Sequence, residues 1–289
     1  HLFKKSGPHI AMIRILRGDD IPGDNISHRI IKVTRKLPVL IIQGNQDDDG
    51  DVKALKAAMA PMEGVDQKHL IEPTIVPVAD AVGQGDFGRY RVVMLVDTPR
   101  LPVSVTRNLE KFVVQGGGLL VAPGNRALPA FYNQWTDAGR RSFMPAKLVE
   151  RRINLDDPAT VATNTFRHPA LNITADTNID EAVIMAWWKM TARPGARTGG
   201  EFNNSDPLLV GRQTGKGRVI MLPMSLGVED SSFRGLSCLV TLMHELTYYL
   251  AARSGHPRAG AAAGAPIVTE LTAPGSGDIK LAERQTHSG

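Results

Sequence analysis

The chain has 289 residues, 42% hydrophobic and 22% charged, with a formal net charge of +5 and an isoelectric point near 9.4. That is enough apolar sequence for one sizeable core. The basic residues are scattered in pairs such as Lys4-Lys5, Arg140-Arg141 and Arg151-Arg152, and aromatics are only 5%, which argues against a nucleic-acid partner. One cysteine, Cys238, excludes an internal disulfide and a cysteine-rich zinc site. No apolar run is long enough to span a bilayer as a helix. The chain opens on His1, with neither an initiating Met nor a signal peptide, and reads as a piece of a longer protein.

The alternation in His9 to Leu16 predicts a strand, and Arg29 to Val33 a second one, separated by the Asp-, Gly- and Pro-rich turn Arg17 to Asn25. Residues 1–36 thus read as the end of a truncated β-domain. Leu37 to Gln43 (LPVLIIQ) opens an α/β domain over residues 37–254. Its loop is Gly44 to Gly50, and a helix follows over Asp51 to Ala60 with Val52, Leu55, Ala58 and Met59 inward. Thr74 to Val78 is the next strand.

The stretch Arg91 to Asn125 organises the rest. Val92 to Val96 is all apolar, as a strand buried on both faces must be. Pro102 to Gln115 has helical spacing, with Val105, Leu109, Phe112 and Val113 on one face, Ser104 as its cap and Gly116 to Gly118 as its stop. Leu119 to Val121 is again a buried strand. Together they predict a βαβ unit with parallel strands. Arg126 to Thr136 reads as a short helix or irregular segment, and Met144 to Ile153 leads into a less regular region. Ala182 to Met190 is a strand. Pro207 to Pro223 is a hairpin reversing at Thr214-Gly215-Lys216-Gly217, which has a phosphate loop's letters but neither its spacing nor a following helix. Phe233 to Ala252 is the longest helix. Residues 255–289 read as a linker and the start of another domain, or a disordered tail.

Several constellations have simple structural explanations. Cys238 lies on the apolar stripe of the last helix, as a buried thiol does. His244 and Glu245 are adjacent and point apart, so they are no zinc helix. Asn45, Asp47 and Asp49 mimic the first half of a calcium loop, but Lys56 stands where a bidentate Glu is required; helix capping explains them, with a weak cation site as the alternative. Asp19, Asp20 and Asp24 fit a polar turn.

The order GDDIPGDN, LPVLIIQGN, RVVMLVDTPRL, LEKFVVQGGGLLVAPGN, FYNQ, DPLLVGRQTGKGRVIMLPM and HELTYYLA resembles the C-terminal half of bacterial BatA-like, membrane-anchored proteins. These carry a von Willebrand factor A domain followed by a class I glutamine-amidotransferase-like domain. The resemblance covers roughly residues 19–252 and is most specific at QGGGLLV and GKGRV. It implies a flavodoxin-like parallel sheet with helices on both faces, flanked by partial β-domains. It also implies an extracytoplasmic, periplasmic position, tethered through membrane segments outside this chain, and protein partners; no cofactor follows from it. The von Willebrand metal motif Asp-x-Ser-x-Ser does not occur here.

In an active amidotransferase-like site a Cys sits on a strand-to-helix elbow with His and Glu beside it. The matching place, after Leu119-Leu120-Val121, holds Ala122, Pro123 and Gly124, and Pro123 has neither a nucleophilic atom nor an N–H for an oxyanion hole. The partner His and Glu should follow Val219 to Leu222, where Pro223-Met224-Ser225-Leu226 stand instead. The expectation is a non-catalytic interaction or scaffold domain. Its cleft should lie beyond the carboxyl ends of the strands, lined by Asp97, Thr98, Asn125, Tyr132 and Asn133. Two alternatives stay open: a hydrolase of the same fold with an unrecognised site, and a carbohydrate-binding module using Trp187, Trp188 and Tyr132.

Overall fold

The computed structural model describes residues 36–44, 50–60 and 70–252, together with the strands 7–14 and 26–33. The acidic positions Asn45, Asp47, Asp49, Asp19, Asp20 and Asp24, and the tail 255–289, lie outside the described residues. The chain divides into two compact units, residues 1–9 with 32–255 and residues 10–31 with 256–289. Strands β1 (Gly7–Arg14) and β2 (Ile26–Val33) form a two-stranded sheet of their own.

The large unit is built on a nine-stranded mixed sheet. Its strands are β3 (Leu37–Gln43), β4 (Ile71–Pro77), β5 (Val92–Val96), β6 (Gly118–Ala122), β8 (Ala159–Ala162), β9 (Val183–Ile184), β11 (Arg197–Phe202), β12 (Pro207–Thr214) and β13 (Gly217–Met221). The order is β4-β3-β5-β6-β13-β12-β11-β8-β9. The first five are parallel and the rest antiparallel. The expected βαβ unit is present: β5 pairs in parallel with β6, in register from Val92 opposite Gly118 to Val96 opposite Ala122. The hairpin β12–β13 extends the sheet, and its reversal uses Gly215 at φ 60°, a conformation glycine adopts without strain. Edge strand β4 carries Pro73 and Pro77, whose missing N–H groups discourage further pairing.

Alternation along the central strands feeds two cores. Val39, Ile41, Met94 and Leu120 face one side, with helices α1 (Gly50–Met59) and α5 (Cys238–Ala251). Leu40, Ile42, Val93, Leu95, Leu119 and Val121 face the other, with α2 (Val103–Val114). This is why β3, β5 and β6 read as unbroken apolar runs. Helix α2 starts at Val103 after Pro102, so Ser104 lies inside it and does not cap it.

The region read as irregular contains regular structure. Strand β7 (Ala146–Ile153) pairs antiparallel with β10 (Ala186–Ala192) as a separate two-stranded sheet, and α3 (Pro129–Gln134) packs beside β7. A single-turn helix, α4 (Pro169–Asn172), and short 3-10 turns fill residues 163–181. Trp187 and Trp188 on β10 are 3% and 7% exposed and belong to opposite cores, so neither is a contact surface.

Candidate functional site at the carboxyl edge

The chain leaves β3 through α1 to β4 on one side and returns in β5 on the other, so the order reverses between β3 and β5. Ligands of open α/β sheets bind at such a point, beyond the carboxyl ends. Here those ends are Gln43-Gly44 and Asp97-Thr98.

Asp97 and Leu226, in the loop after β13, are the non-glycine residues with left-handed backbone at this edge among the described residues. At Asp97 φ is 45°, which is uncommon for a residue with a side chain. Neighbouring strands hold it there: its N–H donates to the Ala122 carbonyl at 3.0 Å. The Arg126 N–H donates to Asp97 Oδ1 at 3.0 Å, and Arg126 Nε lies 3.8 Å from Oδ2. Burial pushes the carboxyl up to about 6; the Arg126 N–H opposes this, and the nearby Asp230 charge adds to it.

Beside it, Asp230 ties down the loop after β13. Its carboxylate accepts from Arg151 Nη2 at 2.6 Å, from the Ser225 N–H at 3.1 Å and from Ser225 Oγ at 2.8 Å. Its carbonyl accepts from the N–H groups of Met185 and Ala186. Asn125 Nδ2 donates to Glu229 Oε2 at 3.1 Å, and Trp188 Nε1 donates to the Gly124 carbonyl at 2.9 Å.

Of the expected cleft residues, Asp97 and Asn125 are at this edge with polar side chains to offer. Thr98 is buried, its hydroxyl donating to the Ile42 carbonyl at 3.1 Å. Tyr132 is fully buried and donates to the Thr98 carbonyl. Asn133 instead completes the outer edge of β7: its amide donates to the Leu148 carbonyl at 2.8 Å and accepts the Leu148 N–H at 2.9 Å. These three are corrected from ligand contacts to structural supports. The stacking platform of Trp187, Trp188 and Tyr132 likewise has no exposed ring. Arg126, Arg151, Glu229 and Asp230 were missed; the Arg151–Asp230 pair spans 79 positions, and no local spacing announces it.

The end of β6 holds Ala122, Pro123 and Gly124, as the sequence has it. Left-handed residues between strand and helix are Asp97, after β5, and Leu226, after β13, whereas Ala122, Pro123 and Gly124 are not left-handed. Cys238 is wholly buried at the start of α5, and burial pushes its thiol up to about 11. His168 packs against Tyr249, ring centroids 4.3 Å apart, and burial pulls its imidazole down to about 4. His244 Nε2 lies 3.2 Å from the Met59 carbonyl, between α5 and α1. Ser225 has its hydroxyl committed to a carboxylate, and among the described residues no imidazole is bonded to it.

No family model matches the chain, and no curated protein matches it. Solved structures do. It is similar to the cytoplasmic protein STM3548 from Salmonella typhimurium at 16% identity, TM-score 0.57, over 74% of this chain and 99% of that one. The cytoplasmic protein STM1381 from Salmonella typhimurium LT2 is similar at 15% identity, TM-score 0.56, over the same shares. At such identity the likeness shows the fold alone. A β-galactosidase from Bacillus circulans sp. alkalophilus follows at 12% identity and TM-score 0.48, over 77% of this chain and 32% of that one, too distant to carry an argument. The extracytoplasmic position implied by the BatA-like resemblance is corrected by these findings, since both Salmonella typhimurium neighbours are described as cytoplasmic proteins. No described helix is long and apolar enough to cross a membrane.

Proposed function

We propose that the large unit is a non-catalytic, class I glutamine-amidotransferase-like domain that binds a protein partner through its carboxyl edge. The parallel order β4-β3-β5-β6-β13, with cores on both faces, supports the fold reading. One observation carries the functional reading: the strained position after β5 is held by Asp97, whose carboxylate is engaged by Arg126. A nucleophile there needs a free attacking atom and a base within hydrogen-bond reach. The neighbouring groups are instead arginines and carboxylates already paired with one another. Such a surface, polar and charge-matched with exposed Asn125 and Arg126 at its rim, suits recognition.

Native protein incubated with a fluorophosphonate and, separately, a thiol alkylator tests this by intact mass. No adduct is expected while the protein is folded. An adduct on Ser225 or Cys238 would establish an activated nucleophile and overturn the reading.

A further inference from the structure

A second polar site has a lining that does not include Asp97. A cleft of about 510 Å³ opens where β7 ends, β8 begins and the turn after β11 crosses. Its size suits a small ligand. We propose that this cleft binds a neutral polyhydroxylated ligand, a saccharide unit.

The walls are fixed. Asp206, only 6% exposed, accepts on Oδ2 from Trp187 Nε1 at 2.8 Å and from Arg152 Nη1 at 2.9 Å. Arg152 Nε donates to Glu150 Oε1 at 3.1 Å. The guanidinium is therefore held on two sides before any ligand arrives, which lowers the entropic cost of binding.

Three asparagines set the recognition chemistry. Asn154 Oδ1 accepts the Asp157 N–H at 3.1 Å, Asn203 Oδ1 the Thr160 N–H at 3.1 Å, and Asn204 Oδ1 the Asp206 N–H at 3.0 Å. Only the oxygen of a carboxamide can accept an N–H, so these bonds fix which end of each amide is which. The NH₂ groups are left as donors around the cleft. Carboxylates of Glu150 and Asp157 supply acceptors.

Charge selects the ligand class. Arg151 and Arg152 are matched in the lining by Glu150 and Asp157, and each arginine already has a buried carboxylate, Asp230 or Asp206. With these partners two arginines face four carboxylates, so among the described lining residues no unpaired positive charge remains to hold an anion, and the carboxylates are left to accept from hydroxyls. Hydroxyls both accept from the amides and donate to the carboxylates, without bringing charge. Trp187 lines the cleft but is only 3% exposed, too little ring for stacking, so affinity rests on hydrogen bonds in an open cleft and falls in the millimolar range. This site stands independently of whether the carboxyl edge is catalytic.

The test titrates the full chain with glucose, galactose, mannose and maltose, and with citrate and phosphate as anions. Asn side-chain amide signals and tryptophan fluorescence are read. Asn154→Asp, Asn203→Asp and Asn204→Asp each keep the oxygen that caps the backbone and remove the NH₂ donor. At least one sugar is expected to shift the amide signals saturably, with each substitution weakening binding about tenfold and leaving Tm unchanged. Binding of the anions but no sugar, saturation by none of the probes, or undiminished sugar binding in all three variants would overturn the proposal. Hydrolysis of a bound sugar would overturn the non-catalytic reading above and leave this site in place, so the two fail separately.

Discussion

The backbone carbonyl of Asp97 occupies the space that a side chain on Gly44 would need: a Cβ at Gly44 would lie 1.8 Å from that oxygen. The two strands meeting at the switch point therefore approach each other closely only because one of them ends in glycine. Gly44→Ala should push the Asp97 turn out of place and destabilise the unit by about 2–4 kcal/mol. Chemical denaturation measures this; an unchanged midpoint would mean the two strand ends separate freely.

Asp97 itself should cost stability at neutral pH. Its carboxyl titrates near 6 in the fold against an ordinary value of 3.8. Between those values the folded state holds a proton the unfolded chain has released, so stability falls as pH rises through this window and stays low above it. Asp97→Asn keeps an acceptor for the Arg126 N–H and tolerates the left-handed backbone. The variant should gain roughly 1–3 kcal/mol over wild type at about pH 8 and much less at about pH 4. Melting curves at both values test it; a gain that is equal or larger in acid would contradict the assignment.

The pair Arg151–Asp230 joins β7 to the loop after β13, with the Asp230 side chain only 4% exposed. Removing one partner of a buried pair leaves a charge without compensation. Arg151→Met should cost about 2–4 kcal/mol, softened by the two Ser225 donors that remain. Adding Asp230→Asn should recover much of that loss. A double variant as unstable as the sum of the two single ones would show that the residues do not act as a pair.

Gly117 sits under Phe112, where a Cβ would come within 2.3 Å of the ring. Gly117→Val should destabilise by roughly 1–3 kcal/mol through displacement of that ring. The left-handed turn belongs to Gly116, at φ 114°. A Tm equal to wild type for Gly117→Val would show that Phe112 moves aside without cost.

The parts of this fold visible in the sequence are those that one element decides. Val92 to Val96 and Leu119 to Val121 are covered on both faces, so every residue is apolar and the pattern is self-contained. The helices α1, α2 and α5 each show one buried stripe. The region 144–202 resisted reading because its strands depend on distant partners. Leu148 has its backbone groups met by Asn133, and β8 is four residues that alternate between buried and half-buried positions. Trp187 and Trp188 are both buried because β10 stands between two cores, which alternation along one strand cannot reveal. At the site, Asp97 and Asn125 were visible from their place at strand ends. Tyr132 and Asn133 were misread because a short helix turns them toward β5 and β7, and the strain at Asp97 is a backbone property with no signature in residue type.

Turnover by the purified full chain tests the central claim most directly, with ester, amide, glutamine and glycoside substrates assayed on wild type and Asp97→Asn side by side. The account predicts no turnover above buffer for either protein. Turnover by wild type that disappears in Asp97→Asn would contradict it and make the strained carboxylate a catalytic residue.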